Sequence, residues 1–144
     1  MLKPKDRQLI DLLRQNARMS VSSLSRSLGV SRSTVQDRLT RLEAEGVIAG
    51  YTVQLGDHME AQRVRAIVML KIAPHAQDEI VAACRRMQSV ASLFTVAGEY
   101  DLAAVVSADS TGQLDEALDA LGRQKGIERT QSSVILSRKF ERPD

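Results

Sequence analysis

The stretch Ser20-Val21-Ser22-Ser23-Leu24-Ser25-Arg26-Ser27-Leu28-Gly29-Val30-Ser31-Arg32-Ser33-Thr34-Val35-Gln36-Asp37-Arg38-Leu39-Thr40-Arg41-Leu42 reads as two helices separated by three residues. Ser20 and Ser31 are good N-caps, because a serine hydroxyl accepts from the unpaired N–H groups of a first helical turn. After Ser20, Val21, Leu24 and Leu28 recur at i, i+3, i+7; after Ser31, Val35, Leu39 and Leu42 recur at i, i+4, i+7. Gly29 can take the left-handed conformation that stops the first of these helices, and Gly46 ends the second. The Gly29-Val30-Ser31 connection has the spacing of a helix-turn-helix. Upstream, Leu9, Ile10 and Leu13 share a face of another helix starting near Lys5, with Leu12 on its flank. Asp6 lies in its first turn, where a carboxylate suits the helix dipole.

With Val35 and Leu39 inward, the third helix turns Ser33, Gln36, Asp37 and Thr40 outward, and Arg32 and Arg41 stand at the flanks. Short polar side chains beside arginines suit entry into a major groove. Gln and Ser reach base edges, and arginine reaches guanine or phosphate. Charge agrees: residues 1–50 hold nine basic and five acidic residues, +4, and the remainder carries −2. A basic front suits a polyanion.

Beyond Gly46 the pattern changes. Val47 to Leu55 is β-branched and aromatic and reads as an extended linker strand, followed by a polar linker, Gly56 to Glu60. Strands are expected over Val64–Ile72, Leu93–Ala97, Leu102–Ser107 and Arg129–Leu136, and helices over Gln77–Met87 and Ser110–Leu121. The order βαββαβ predicts a ferredoxin-like antiparallel sheet with two helices on one face. The fold class is therefore α+β: a helix-turn-helix domain over 1–50, a linker over 51–62, and a ferredoxin-like domain over 63–144. In the first strand both alternating sets contain apolar residues, including Ile67 and Met69 on the second. A sheet open to water on one side shows cleaner alternation, so a second subunit is expected on that face.

Composition excludes several classes. The chain has 144 residues, 43% hydrophobic and 26% charged, enough for a packed core. No apolar run approaches the ~20 residues that span a bilayer. The start, Met1-Leu2-Lys3-Pro4-Lys5-Asp6, has no apolar signal region, and with one cysteine, Cys84, no intramolecular disulfide can form; a cytoplasmic protein is expected. His58 and His75 lack metal-ligand spacing and read as solvated, and Cys84 reads as a small core residue. No metal and no cofactor are expected.

Specific residues carry a family resemblance. They are Asp6-Arg7, Asn16-Ala17-Arg18-Met19-Ser20, Leu28-Gly29-Val30-Ser31, Arg38-Leu39-Thr40-Arg41-Leu42-Glu43 and Gly46-Val47-Ile48-Ala49-Gly50-Tyr51-Thr52. Gly98-Glu99-Tyr100-Asp101 looks like a G-x-[YF]-D loop, and Gly126-Ile127 stands where a Gly-Val pair precedes a last strand. Together they resemble the Lrp/AsnC family of feast/famine regulators over nearly the whole chain. Asn16-Ala17 departs from the family's usual Asp-Gly, and Ser23-Leu24-Ser25 from its Glu-Leu-Ala. The resemblance implies a transcription regulator that binds double-stranded DNA. It implies dimers assembling into higher rings, commonly octamers, and an amino-acid effector bound where dimers meet. Two alternatives remain: an effector-free architectural DNA-binding protein, and a tetrapyrrole decarboxylase like some relatives of the family. The second needs histidine chemistry for which only His58 and His75 are available, so no enzyme is expected.

For DNA, Ser31 offers a cap and a backbone N–H to phosphate. Arg32, Ser33, Gln36 and Thr40 are the candidate readers of bases or phosphates. Arg38 and Arg41 are candidate phosphate ligands, with a structural role within the head an equal reading for Arg38. Asp37 is expected to pair with Arg41 at i+4. For the effector, Asp101 is expected to take an ammonium, and N–H groups near Gly98 a carboxylate; a plain tight turn is the competing reading of the same residues. By resemblance, Thr95, Ala97, Tyr100, Ser110, Thr130 and Ser132 line the same site.

Overall fold

Serine caps and leucine spacing build the N-terminal part as expected. In the computed structural model, which describes residues 2–142, helix α1 spans Pro4–Gln15, α2 Val21–Leu28 and α3 Arg32–Ala44. Ser20 accepts from Ser23 N at 3.0 Å, and Ser31 from Thr34 N at 3.2 Å, so each cap satisfies a first-turn N–H. Gly29, with φ +67°, is the left-handed stop between α2 and α3. The inward leucines and valine meet in one core of Leu9, Leu24, Leu28, Val35 and Leu42, with Ile10, Leu13, Leu39 and Ile48 packed at its edge. Lys5 Nζ donates to Leu28 O at 2.5 Å, closing an open carbonyl at the end of α2.

The chain divides into two compact units, Met1–Gln54 and Leu55–Asp144. Between α3 and the second unit the expected linker strand is not formed: residues 49–56 carry no regular structure, and Val53 and Leu55 are exposed. β-rich composition makes a strand only where a partner supplies the ladder, and among the described residues none does. The expected polar linker contains instead a single helical turn, α4, Asp57–Glu60.

The second unit holds β1 Val64–Ile72, α5 Gln77–Arg86, β2 Val90–Thr95, β3 Leu102–Ala108, α6 Thr111–Gly122 and β4 Ile127–Ile135. The order across the sheet is β2-β3-β1-β4, every neighbouring pair antiparallel. β2 begins three residues before its expected start, since Val90 pairs with Val106 across an irregularity at Ala91. β4 begins at Ile127, two residues early. Ala66, Val68 and Leu70 of β1 join Leu102, Ala104 and Val106 of β3 beneath Ile80, Cys84, Leu114 and Leu121 of the two helices. These alternate residues are almost wholly removed from water. On the opposite face the register sets Ile67 between Val105 and Ser133, and Met69 between Ala103 and Gln131. Ile67 and Phe94 stay exposed there in the single chain.

Candidate functional site

The cap at Ser31 fixes where α3 begins and hence which side chains face outward. Arg32, Ser33, Gln36, Asp37 and Thr40 are exposed, while Val35 and Leu42 are buried. Ser31 Oγ also lies 3.1 Å from Ser33 Oγ and 2.8 Å from Thr34 Oγ1, so the hydroxyls of the first turn form a linked set. The α3 N-terminus thus presents small donors and one arginine on a bare helical end, which favours an anion through unpaired N–H groups and the dipole.

The other two arginines of α3 behave differently. Arg38 Nη1 lies 2.7 Å from Asp6 Oδ1, and Arg41 Nη2 lies 2.9 and 2.8 Å from Asp6 Oδ1 and Oδ2. Hydrogen bonds from Arg41, then from Arg38, hold the Asp6 carboxyl below its ordinary range against burial, which alone would raise it. The expected Asp37–Arg41 pair is therefore not formed. Arg41 instead turns to Asp6, with Glu45 at 3.6 Å, because a buried carboxylate is a stronger partner than an exposed one. Arg38 thus has an ion-pair partner within the head. The expectation of both as phosphate ligands meets a carboxylate already in contact with each. The dipole role expected of Asp6 from its place in the first turn leaves out these two long-range partners.

At the end of the same unit, Tyr51 donates to Glu43 Oε1 at 2.8 Å. Burial, then Glu43, pushes the Tyr51 phenol up. The bond ties the segment after α3 to its last turns.

In the second unit, the loop between β2 and β3 holds Gly98-Glu99-Tyr100-Asp101. Asp101 is anchored at three atoms. Its N–H donates to Leu70 O at 2.9 Å, its C=O accepts from Val96 N at 3.0 Å, and Oδ2 accepts from Ile72 N at 2.9 Å. Lys71 Nζ lies 3.6 Å from the same Oδ2. One carboxylate oxygen is thus engaged within the chain. Gly98 has φ +142°, and a Cβ there would meet nothing within 4 Å. It is the backbone angle, not clearance for an approaching ligand, that requires glycine in the chain by itself.

Tyr100 OH donates to Gln131 Oε1 at 2.7 Å. The Arg129 guanidinium stands 5.0 Å from the Tyr100 ring centroid and 2.8 Å from Glu99. Sequence reasoning passed over Lys71, Glu99, Arg129 and Gln131. Only their place on the sheet, beside the loop, marks them out.

The remaining effector candidates are dispersed in one chain. Ala97 lies in the loop itself. Thr95 pairs with Leu102 on edge strand β2, whereas Thr130 and Ser132 pair with Leu70 and Val68 on the opposite edge, β4. Thr95, with Phe94 and Arg85, lines a groove of about 320 Å³ between α5 and β2. Ser110 is not brought to the loop: it follows β3, roughly 20 Å of strand away, and caps α6 by accepting from Gln113 N at 3.2 Å. His58 and His75 are exposed, and Cys84 is buried, which pushes its thiol up. Among the described residues, no three His, Cys, Asp or Glu side chains gather to hold a metal, and no helix is long and apolar enough to cross a membrane.

Comparison with known proteins agrees with this division. Residues 2–49 match the winged helix-turn-helix DNA-binding family, and residues 65–144 match the Lrp/AsnC ligand binding domain. The chain is 30% identical over 133 residues to the transcriptional regulator LrpA of Mycobacterium tuberculosis, covering 92% of this chain and 88% of that protein. A transcriptional regulator of Neisseria meningitidis, solved as an L-Met complex, superposes with TM-score 0.84 at 25% identity over 98% of this chain and 94% of that one. AsnC of E. coli shares the fold, with TM-score 0.88 at 19% identity over 100% and 98% of the two chains. A helix-turn-helix head and a four-stranded antiparallel domain of this order, each matched by its own family, make the chain a member of the Lrp/AsnC family of transcriptional regulators, with a DNA-binding helix-turn-helix and a ligand-binding domain.

Proposed function

We propose that the chain is a sequence-specific regulator that reads duplex DNA through α3 and responds to an amino acid bound at the Gly98–Asp101 loop. The observation that carries the reading is the bare, serine-capped start of α3, where Arg32, Ser33, Gln36 and Thr40 are exposed together. Arg32 and Gln36 are placed at base edges, and Ser31, Ser33 and Thr40 at phosphates or bases. Two heads per dimer then call for half-sites about one helical turn, or a multiple, apart.

In the second unit, Asp101 keeps Oδ1 for an ammonium while Oδ2 holds Ile72 N. Arg129, Lys71 and the N–H groups around Gly98 are the groups suited to a carboxylate. The L-Met bound to the Neisseria relative supports an amino acid as the ligand class. The uncovered apolar residues Ile67 and Phe94 support association of chains through the open sheet face, into a homodimer and from there a higher assembly, expected to be an octamer. The chemistry needs no cofactor and no catalysis.

A thermal-shift screen of the purified protein against the twenty amino acids tests the effector. A ligand that binds only the folded state raises the melting temperature by mass action. A shift with one or a few amino acids, absent in Asp101→Ala, is the expected result. No shift with any of the twenty overturns the amino-acid reading. Arg32→Ala and Gln36→Ala are each expected to weaken operator binding by about 1–3 kcal/mol.

A further inference from the structure

The carboxylate in the first turn of α1 is buried and faces α3. Asp6 is only 1% exposed, yet lies in the first turn of α1 and meets two arginines that come 32 and 35 positions later on α3. Arg41 bonds both of its oxygens, and Arg38 one. The Arg38 Nε is buried without a hydrogen-bond partner, and Asp6 holds this guanidinium through Nη1. Arg41 has Glu45 on its other side at 3.6 Å. Of the three arginines on α3, two therefore share the one Asp6 carboxylate. Among the described residues, only Arg32 of the three has no carboxylate within ion-pair distance.

This matters for how a reading helix discriminates. An arginine free on such a helix neutralises phosphate on any duplex, and that term carries no sequence information. An arginine fastened to a buried carboxylate has fewer free donors and less freedom to swing out, so it reaches a phosphate less readily than an untethered one. We propose that Asp6 is a positioning residue that sets specificity: it withholds Arg38 and Arg41 from the DNA backbone and leaves discrimination to Arg32, Ser33, Gln36 and Thr40. The inference rests on α3 being the DNA-reading helix. In consequence, two of the nine basic residues counted in the first fifty are turned toward a carboxylate of the same unit. Binding to random sequence is weaker and less salt-dependent than it would be with all three α3 arginines free for phosphate.

The test measures affinity of the full chain for a random-sequence duplex across a salt series. Each arginine that gains a phosphate steepens the slope of log K against log salt by about 0.9. Asp6→Asn, checked for helical content by circular dichroism, is expected to bind random duplex more tightly and to steepen the slope by about 1 to 2. Adding Arg38→Gln and Arg41→Gln to that variant is expected to return the slope to the wild-type value. A residue with a merely structural role would lose affinity and would not steepen the slope. A folded Asp6→Asn with an unchanged or shallower slope overturns the proposal. Should Asp6→Asn not fold, Arg41→Gln alone decides: an unchanged slope upholds the proposal, and a loss of about 0.9 shows Arg41 already on phosphate and overturns it. Arg32→Ala separates this from failure of the underlying reading. If its slope is shallower by about 0.9, α3 faces DNA whatever Asp6 does; if neither it nor Gln36→Ala changes binding, α3 is not the reading helix.

Discussion

The two units of this chain solve the same packing problem with different materials. Among the described residues, the helical unit encloses a core of five buried apolar residues and fastens α1 to α3 with ion pairs to the buried Asp6 carboxylate. Among the described residues, the sheet unit encloses a hydrophobic cluster of eleven buried residues, with Ser107 the one buried polar residue beside it. The first unit has one buried charged joint, at Asp6. The second leaves an apolar face uncovered. A small core has less area to remove from water, so a specific electrostatic joint carries more of its stability. A larger core leaves its second face free for another partner.

Matched truncations give the largest effects. Leu42→Ala and Leu70→Ala each remove a fully buried leucine, one from each core. Each should cost about 2–5 kcal/mol. Followed by circular dichroism on heating, Leu42→Ala is expected to lower a predominantly helical transition and Leu70→Ala a mixed one. A single shared transition moved equally by both would break the comparison.

Acid probes the joint. The folded Asp6 carboxyl titrates below its unfolded range, so its stabilisation is complete above about pH 4 and fades as pH falls through the folded value. Asp6→Asn lacks this dependence, and the mutation itself should cost about 2 kcal/mol, less than a fully sealed pair because both arginines reach solvent. An acid titration of thermal midpoints in which wild type and Asp6→Asn keep a constant separation down to pH 2 would show that the joint contributes nothing.

The smallest effect sharpens the account of the second unit. Gly98→Ala meets open space but must adopt φ +142°. Urea unfolding should register a loss of about 1 kcal/mol from backbone strain, with the helical unit unmoved.

Local rules made much of this legible. Ser20, Gly29 and Ser31 fixed the helix-turn-helix because caps and stops act within one turn, and β1 was bounded correctly by alternation. What stayed hidden depends on distance in sequence. Asp6 reads as a dipole partner until Arg38 and Arg41 fold onto it. Arg129 and Gln131 read as ordinary polar strand residues until β4 lies beside the Tyr100 loop. The linker misled for the converse reason: Val47 to Leu55 has strand composition, but a ladder needs a partner that composition does not supply. Ser110, an effector candidate by resemblance, lies at the far end of β3 and caps α6, away from the Gly98–Asp101 loop of its own chain.

The central place of β1 in the sheet has a consequence for how the chain is made. Its residue Arg65 pairs with Ile135, about seventy positions further on, so the ladder cannot close until β4 has left the ribosome. The helical unit has mostly short-range neighbours and precedes it. It is therefore free to fold while the sheet is still being synthesised. During that interval β1 exposes apolar residues on both faces, which makes the period between β1 and β4 the one in which the nascent chain is most prone to aggregate.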